Sequence, residues 1–376
     1  MAVYLDCNAT TPVEPEVQEL VVRYFSENVG NAGSRTHEFG QQAKNAVQTA
    51  REQVASLVAA KPDEVLFTSG ATESNNIALL GLTRHGEQTG RQHIVSTAIE
   101  HKAVLEPLEV LERRGFEVTL VPPDADGLVP AERVLEAIRS DTLAVSVMHV
   151  NNETGVTQPV AEIAAGLEEQ HPYLHVDAAQ SFGKVVDELK SPRIDLISAS
   201  SHKVYGPIGV GVLIARRRRY RRPPLEPLIH GGGQERGLRP GTLPTPLIAG
   251  FGLAAELAEK NNKARREKCL AIRRQALAAL QPLGIRLHGN EERLVPHVLN
   301  LSIDGLDSEA VMLSLKGLAA VSNGSACTST SYEPSHVLQA MGLSDNEVQG
   351  AIRFSWCHLT PDVDWAAIRN TISGLQ

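Results

Sequence analysis

The chain has 376 residues, 42% hydrophobic and 21% charged, with a formal net charge of -8 at pH 7. This length predicts about two domains with a substantial core, and the negative charge makes direct nucleic-acid binding an unfavoured interpretation. No apolar run is long enough to span a membrane. The N-terminus MAVYLDCNATTP lacks a basic start followed by an apolar stretch, so the sequence predicts a cytoplasmic protein.

The first elements in chain order are helical, with apolar residues at helical spacing over 17–25 and 47–58. Short apolar runs then alternate with helix-length segments. The candidate strands cover residues 64–68, 93–98, 117–121, 143–149, 174–178, 195–199 and 210–215. The alternation predicts an α/β fold with a large, mostly parallel sheet, in which ligands bind beyond the carboxyl ends of the strands.

The last third of the chain has a different pattern. A long helix over 251–280 precedes apolar runs at 298–303 and 319–321, and a final helix is predicted with Thr360 as N-cap and Pro361 at its first position. This pattern indicates a smaller α+β domain. We therefore expect an N-terminal segment, 1–15, packed with the small domain, a large domain, 16–250, and a small C-terminal domain, 251–376.

Four cysteines, Cys7, Cys269, Cys327 and Cys357, are scattered along the chain and form no CxxC pair. The spacing predicts neither a disulfide framework nor a metal site. Cys327 lies in SNGSACTST, among small and hydroxylic residues that favour a hydrated loop. From these residues alone, a chance exposed thiol and a nucleophile are equally acceptable interpretations.

Three strand ends carry residues suited to holding a phosphorylated cofactor. In FTSGATESNN a glycine turn opens a helix whose first N–H groups and Thr72 hydroxyl could hold a phosphate, although an ordinary capped helix has the same pattern. Asp177 in VDAAQSFGK could pair with a protonated pyridine nitrogen or merely cap the next helix. Lys203 in SSHKVYGP could form a Schiff base, although a lone surface lysine is the ordinary interpretation.

The motifs taken together resemble the cysteine desulfurases. These are fold-type I enzymes of the class V aminotransferase family that use pyridoxal 5'-phosphate (PLP), and the similarity is to the branch with a long catalytic loop. The resemblance covers nearly the whole chain through an ordered set: YLDCNATTP, GNAGSRTHEFG, FTSGATESNN, EHKAVLEP, MHVNNETG, VDAAQSFGK, SSHKVYGP, GGGQERGLRPGTLP, NGSACTS and IRFS.

The resemblance implies a role for each matching residue. Lys203 would bind PLP covalently, Asp177 would pair with the ring nitrogen, Gln180 would hydrogen-bond the ring's phenolic oxygen, and His101 would stack on the ring and could move protons. Residues implied to bind the phosphate are Gly70, Ala71, Thr72, Ser200 and His202, with Thr242 reaching the other subunit of a homodimer. Asn152 and Arg353 would bind the substrate carboxylate.

For Cys327 the resemblance implies nucleophilic attack on the sulfur of L-cysteine. The products would be L-alanine and a persulfide on Cys327. A protein acceptor would then take the outer sulfur from this persulfide. The acceptor could serve iron–sulfur assembly, tRNA thiolation or DNA phosphorothioation. Housekeeping members extend beyond the last helix with a scaffold-docking tail, whereas this sequence stops at Gln376, so we expect an acceptor other than an iron–sulfur scaffold.

Two further features of the sequence concern possible partners and reactivity. The segment ARRRRYRRPP, 215–224, has six arginines; a solvated edge or a dimer-supporting turn is the favoured interpretation, and a docking site is the alternative. WCHLT follows IRFS, and its Cys357 could lie near the pocket. Other functions remain open: a related aminotransferase, which would not need Cys327, a selenocysteine lyase, or a non-catalytic scaffold.

Overall fold

The structure is a computed structural model that describes residues 2–168, 172–323 and 334–376. Its strands are β1 Val3–Tyr4, β2 Val65–Thr68, β3 His93–Thr97, β4 Glu117–Val121, β5 Thr142–Met148, β6 Tyr173–Asp177, β7 Leu196–Ser200, β8 Gly211–Ala215, β9 Ile285–Leu287, β10 Val298–Ile303, β11 Ala319–Ala320 and β12 Ile352–Ser355.

Helices cover the sheet faces and connect the strands. They are α1 Pro15–Ser26, α2 Glu38–Ser56, α3 Ala71–Leu80, α4 Thr83–Thr89, α5 Lys102–Arg113, α6 Ala131–Glu136, α7 Val160–Gly166, α8 Thr245–Leu280, α9 Ser308–Ser314, α10 His336–Ala340, α11 Asp345–Gln349 and α12 Trp365–Ser373. Within the described ranges, no helix has both the length and the apolar character needed to cross a membrane.

A seven-stranded sheet organises most of the chain, in the order β2-β8-β7-β6-β5-β3-β4. The strands from β7 to β4 pair in parallel, and β8 runs antiparallel to both β7 and β2. The predicted α/β class with a mostly parallel sheet is confirmed. Six strands, β2, β3, β4, β5, β6 and β7, therefore point their carboxyl ends to one edge of the sheet.

The central strands are buried along almost their whole length because both faces of the sheet are covered. Every residue of β5, TLAVSVM, is buried. One face contributes Val145 and Val147 to a core shared with α2, α7 and α8, and the other contributes Ala144 to a core with α3 and α5. Burial on both faces explains why these strands appear in the sequence as mostly apolar runs and not as alternating polar and apolar residues.

The C-terminal part has its own antiparallel sheet, in the order β12-β10-β9. Its core combines this sheet with the second half of α8 and with α12, and Leu5 of the N-terminal segment joins that core. Strand β1 pairs in parallel with β11. The first residues of the chain thus lie against its last third, although the predicted domain boundaries themselves stay a prediction, since α8 runs continuously through residue 250.

The final helix begins later than the sequence predicted. Thr360 is not its N-cap: α12 starts at Trp365, and the Asp364 carboxylate accepts the hydrogen bond from the Ala367 N–H at 2.9 Å. The Thr360 hydroxyl instead accepts from the Cys357 N–H at 2.9 Å. The prediction was wrong because a Thr-Pro pair also suits a turn, and a better-placed aspartate follows it.

Candidate active site

A cavity of about 460 Å³ lies at the carboxyl edge of the large sheet. It gathers residues from five strand ends, from the N-terminal segment and from β12. Eleven of the thirteen predicted site residues line it: Gly70, Ala71, Thr72, His101, Asn152, Asp177, Gln180, Ser200, His202, Lys203 and Arg353.

One end of the cavity is built to hold an anion. The ten-residue helix α3 begins there after Gly70, and the first N–H groups of a helix have no partner within it. Gly211 of β8 makes room for this turn, since a Cβ at Gly211 would lie 2.5 Å from the Gly70 Cα. The Ser200 hydroxyl lies on the same side, so several donors converge.

His202 adds a neutral donor to this end. Its Nδ1 lies 3.1 Å from the Thr10 hydroxyl, and burial together with the charges of Lys203 and Lys184 lowers the pKa of His202 to about 4. The ring is therefore neutral near pH 7. When Nδ1 accepts from Thr10, the proton resides on Nε2, which can donate to an anionic ligand.

Lys203 ends a short 3-10 turn, Ser201–Lys203, directly after β7. Its amine donates to the backbone oxygens of Asn8 and Ala9, the latter at 2.8 Å. Asn8 is therefore a site residue that sequence reasoning missed. Its carbonyl also accepts from the Gln180 amide at 3.0 Å, and its own amide donates to the Asn152 carbonyl at 2.9 Å.

Asp177 stands at the end of β6, held by two donors. The Asn75 amide donates to Oδ2 at 2.8 Å and the Ala179 N–H donates to Oδ1 at 2.9 Å. Asn75, fully buried on α3, was also missed by sequence reasoning. The available signal was its position in FTSGATESNN, one helical turn after Ala71, where the helix turns a side chain back toward the sheet.

His101 forms the opposite wall at the N-cap of α5. Its Nδ1 accepts from the Ala103 N–H at 3.0 Å, so the neutral ring carries its proton on Nε2. Burial lowers the pKa of His101; the Asp177 carboxylate opposes this, and the Lys203 cation adds to it. The preceding residue, Glu100, is fully buried, and burial raises its pKa to about 8.

Arg353 of β12 closes the cavity from the C-terminal side. Its guanidinium donates to the Asn152 carbonyl at 2.9 Å and to the Asp6 carboxylate at 2.7 Å. The buried Nε of Arg353 has no partner in the structure, and neither does the buried Oε1 of Gln180. Buried polar groups are rarely left unpaired, so these atoms mark where a ligand completes the site.

Two predicted residues are not among the described residues that line the cavity. Thr242 is exposed and does not line it, and Cys327 lies outside the described residues. Ser322, close before that gap, pairs with Arg353, as Arg353 N–H donates to the Ser322 carbonyl at 2.6 Å. Pro334, directly after the gap, lines a neighbouring groove of about 790 Å³ that shares His101 with the cavity.

The arginine-rich segment lies away from this cavity, and its first members are bound to the protein itself. Arg216 is buried and donates to backbone carbonyls, including those of Ser191 at 2.8 Å and Leu189 at 2.8 Å. Arg217 pairs with Asp63, and Arg218 makes two hydrogen bonds to Asp195 at 2.6 and 2.8 Å. These contacts favour the structural interpretation of the segment.

Comparison with known proteins identifies the class. The family model for class V aminotransferases matches residues 3–364. A cysteine desulfurase IscS of Vibrio campbellii is 46% identical over 367 residues, covering 97% of this chain and 90% of the relative. An IscS of Photobacterium profundum is 45% identical over 383 residues, covering 100% of this chain and 94% of that relative.

Solved structures agree with this relationship. A NifS-like protein superimposes with a TM-score of 0.91 at 35% identity, covering 100% of this chain and 99% of the other. DndA from Streptomyces lividans has a TM-score of 0.83 at 50% identity, with 94% and 99% covered. The chain belongs to the class V aminotransferase family. Within that family it belongs with the cysteine desulfurases, which are PLP enzymes.

The residues present fit PLP. The cavity offers an anion-binding helix terminus, a lysine amine and a buried carboxylate, together with the unpaired Gln180 Oε1. When bound, PLP supplies an electron sink for charge that develops at the substrate Cα. Among the described residues, no cluster of three or more His, Cys, Asp or Glu side chains could hold a metal ion.

Proposed function

We propose that this protein converts L-cysteine to L-alanine and holds the sulfur as a persulfide on Cys327. The observation that carries the proposal is the convergence in one cavity of the Lys203 amine, the Asp177 carboxylate, His101 and an unpaired Arg353 Nε. A related solved structure is described as SspA in complex with cysteine, at 38% identity and a TM-score of 0.82, which favours cysteine as the ligand.

The roles follow from the atoms that are available. The Arg353 Nε–H is directed to the substrate carboxylate, with Asn152 beside it. The Asp177 carboxylate, held in place by Asn75 and Ala179, would pair with the ring nitrogen of bound PLP. Gly70, Ala71, Thr72, Ser200 and His202 bind the phosphate. Neutral His101, with its proton on Nε2, and the Lys203 amine move protons to and from the substrate.

Sulfur transfer uses the thiolate of Cys327, because the thiolate is the nucleophilic form. It attacks the substrate sulfur, forming an S–S bond, while the Cβ–S bond breaks and its electron pair stays on the substrate carbon. Protonation of that carbon gives alanine. A thiol of the acceptor protein then attacks the outer sulfur of the persulfide and restores Cys327.

We also propose a homodimer in which Thr242 completes the partner's phosphate site. Large apolar side chains are exposed on α1, in the connection that follows it and at the start of α2: Val22 at 58%, Phe25 at 65%, Val29 at 67% and Phe39 at 57%. A soluble monomer rarely exposes a patch of this kind. Thr242, exposed and outside the cavity of its own chain, fits a contact across such an interface.

Mixed dimers test this arrangement. We would pair a Lys203→Ala chain with a Thr242→Ala chain carrying a different affinity tag. If Thr242 acts across the interface, one of the two sites in the mixed dimer has both Lys203 and Thr242, and activity is about half that of wild type. If Thr242 acted within its own chain, both sites would be defective and the mixed dimer would be no better than the parent variants.

The desulfurase reaction itself is separated from the alternatives by products. We expect the holoenzyme to release alanine from L-cysteine, with sulfide in the presence of a reducing thiol, and Cys327→Ser to lose this turnover while still binding PLP. An aminotransferase would form a keto acid and would not need Cys327. Selenocysteine turnover that far exceeded cysteine turnover would indicate a lyase for that substrate, and a colourless protein unable to bind PLP would indicate a scaffold.

The acceptor is the remaining part of the proposal. We propose a protein acceptor from DNA phosphorothioation, tRNA thiolation or iron–sulfur assembly, and a transfer assay with one acceptor of each kind distinguishes them. The enzyme carrying labelled sulfur is mixed with each acceptor, and the label is followed by mass spectrometry. The correct acceptor takes the label within the enzyme's turnover time, and the other acceptors stay unlabelled.

A further inference from the structure

Two buried cysteines lie in contact beside the active site and have no part in the proposed reaction. Cys7 is 1% exposed and Cys357 is 0% exposed, and together with Tyr205 they form one buried cluster. The Thr360 hydroxyl donates to the Cys357 sulfur at 3.8 Å. Both thiols are free in the structure.

The backbone fixes this contact. Asp6 pairs with Ser355 in a parallel bridge, and the Cys7 N–H donates to the Ser355 carbonyl at 3.1 Å. Two residues later the chain turns at Cys357, whose N–H donates to the Thr360 hydroxyl at 2.9 Å. The two cysteines therefore lie on neighbouring backbone segments and share one buried cluster, although they are far apart in the sequence.

The two thiols are chemically unlike. The Cys7 thiol donates to the Cys357 sulfur, the Leu359 N–H and the Thr360 hydroxyl add to this, and these hydrogen bonds lower the pKa of Cys357 to about 6 against the effect of burial. The pKa of Cys7 is raised, because its proton is held in the same hydrogen bond and the group is buried. The surroundings thus act on the two thiols in opposite directions, lowering the pKa of Cys357 and raising that of Cys7.

The pair is tied to the active site through a tripeptide. Asp6 accepts from Arg353 at 2.7 Å, and the Asn8 carbonyl accepts from Lys203 and from Gln180. Cys7 lies between these two residues. A change in the position of Cys7 would therefore also move Asp6 and Asn8, which contact Arg353 and Lys203.

We propose that Cys7 and Cys357 form a redox-active dithiol that a hydroperoxide converts to a disulfide. The Cys357 thiolate attacks one peroxide oxygen, so an S–O bond forms, the O–O bond breaks and hydroxide leaves. The Cys7 sulfur then attacks the resulting sulfenic acid: the S–S bond forms, the S–O bond breaks, and the hydroxide takes the Cys7 proton to become water. Two thiol sulfurs are oxidised by two electrons, and one peroxide is reduced.

The consequence is a covalent link between the N-terminal segment and the end of β12. Residues 7 and 357 lie 350 positions apart, so this bond closes almost the entire chain into one loop. It fixes the tripeptide between Arg353 and Lys203 and constrains the unfolded state. The inference stands on contacts among described residues and does not depend on the desulfurase reaction.

Peptide mapping of the holoenzyme tests the proposal. After treatment with hydrogen peroxide and alkylation of the remaining thiols, digestion without reductant should yield the Cys7 and Cys357 peptides joined, two hydrogens lighter than their sum. Dithiothreitol should separate them. The link should persist in Cys269→Ser and in Cys327→Ser, and it should be absent from Cys357→Ser. Persistent absence of the link in wild type, or Cys357 joined to Cys269 instead, would overturn the proposal.

A second variant tests the order of attack. In Cys7→Ser the sulfenic acid on Cys357 has no thiol to resolve it, so a dimedone adduct should accumulate there. In Cys357→Ser the Cys7 thiol lacks the lowered pKa, and its adduct should be at least tenfold less abundant at the same peroxide dose. Equal labelling of Cys7 and Cys357 in the two variants would contradict the assigned asymmetry.

Discussion

The arginine-rich segment and the cavity are both dense in polar groups, yet they differ in how those groups are satisfied. Arg216 and Arg218 donate to carbonyls and to Asp195, which itself accepts from Arg193 and from the Leu174 N–H. In the cavity, the buried Arg353 Nε and Gln180 Oε1 have no partner. Within the described residues, the guanidinium groups of Arg216 and Arg218 are held by the protein itself, and in the segment only the buried Arg217 Nε lacks a partner, whereas the unpaired atoms of the cavity border a space that a ligand can fill.

This difference in hydrogen bonding distinguishes residues that stabilise the fold from residues that bind a ligand more clearly than their charge does. A satisfied network contributes to folding, and removing a member leaves its partners unpaired. Unpaired buried atoms lower the stability of the fold, but they are available to bind a ligand. Substitutions at such residues should therefore affect activity more than folding. A substitution in the cavity and a similar substitution outside it should therefore have different effects on activity and on stability.

The largest effect is expected at Lys203. Lys203→Ala should lower turnover by roughly 10³-fold or more, because the variant loses both covalent cofactor binding and a proton-transfer group. Absorbance of the lysine-bound cofactor should disappear as well. Lys190→Ala, at an exposed lysine paired with Asp187, is the matched control and should retain both properties. Normal turnover in Lys203→Ala would disprove its assigned role.

The two aspartates should respond in opposite ways. Asp177→Asn removes the charge opposite the ring nitrogen and should lower turnover about 10²-fold or more, with little change in unfolding temperature. Asp195→Asn breaks buried pairs with Arg193 and Arg218 and should cost about 2–4 kcal/mol of unfolding free energy while turnover per folded molecule is kept. The same pattern in both variants would remove the distinction between the two regions.

A smaller and more specific effect is expected at Arg353. Arg353→Lys keeps the charge but loses the planar fork, so KM for cysteine should rise roughly tenfold to a hundredfold, with a smaller change in kcat. Arg216→Lys should lower the melting temperature and leave KM unchanged, because Arg216 contacts only backbone carbonyls of the protein. Steady-state kinetics and thermal unfolding of both variants check this.

The smallest effect is expected at the exposed end of the arginine-rich segment. Arg219→Glu and Arg221→Glu should change sulfur transfer to the acceptor by less than about twofold, because this account gives the segment a structural role. The test uses the acceptor found in the labelling assay, with desulfurase turnover measured in parallel. A tenfold loss of transfer at unchanged turnover would instead make this segment the docking site.

Much of this could be predicted from the sequence, for identifiable reasons. Runs of mostly apolar residues predicted the strands to within about two residues, because parallel strands buried on both faces favour apolar side chains. Ordered motifs at strand ends gave the cavity residues, since β6 and β7 end in the same edge of the sheet. Helix ends were harder to predict than strands. The start of α12, for example, depends on whether Thr360 or Asp364 caps the helix, and both residue types are suited to that position.

Contacts between distant segments were beyond the sequence. Nothing in YLDCNATTP indicates that the Asn8 carbonyl would accept from Lys203, because a backbone oxygen carries no signature in the sequence. Asn75 was missed for a related reason, as its amide meets Asp177 across 102 positions. The meeting of Cys7 and Cys357 likewise depends on the pairing of the N-terminal segment with β12.

The most direct test of the central claim is the fate of the substrate sulfur. L-cysteine labelled with a heavy sulfur isotope is added to the holoenzyme without acceptor or reductant, and the peptide containing Cys327 is analysed by mass spectrometry. The account predicts one added labelled sulfur on Cys327 and a matching amount of alanine, with no label on Cys7, Cys269 or Cys357. Alanine formed without label on the Cys327 peptide would contradict it.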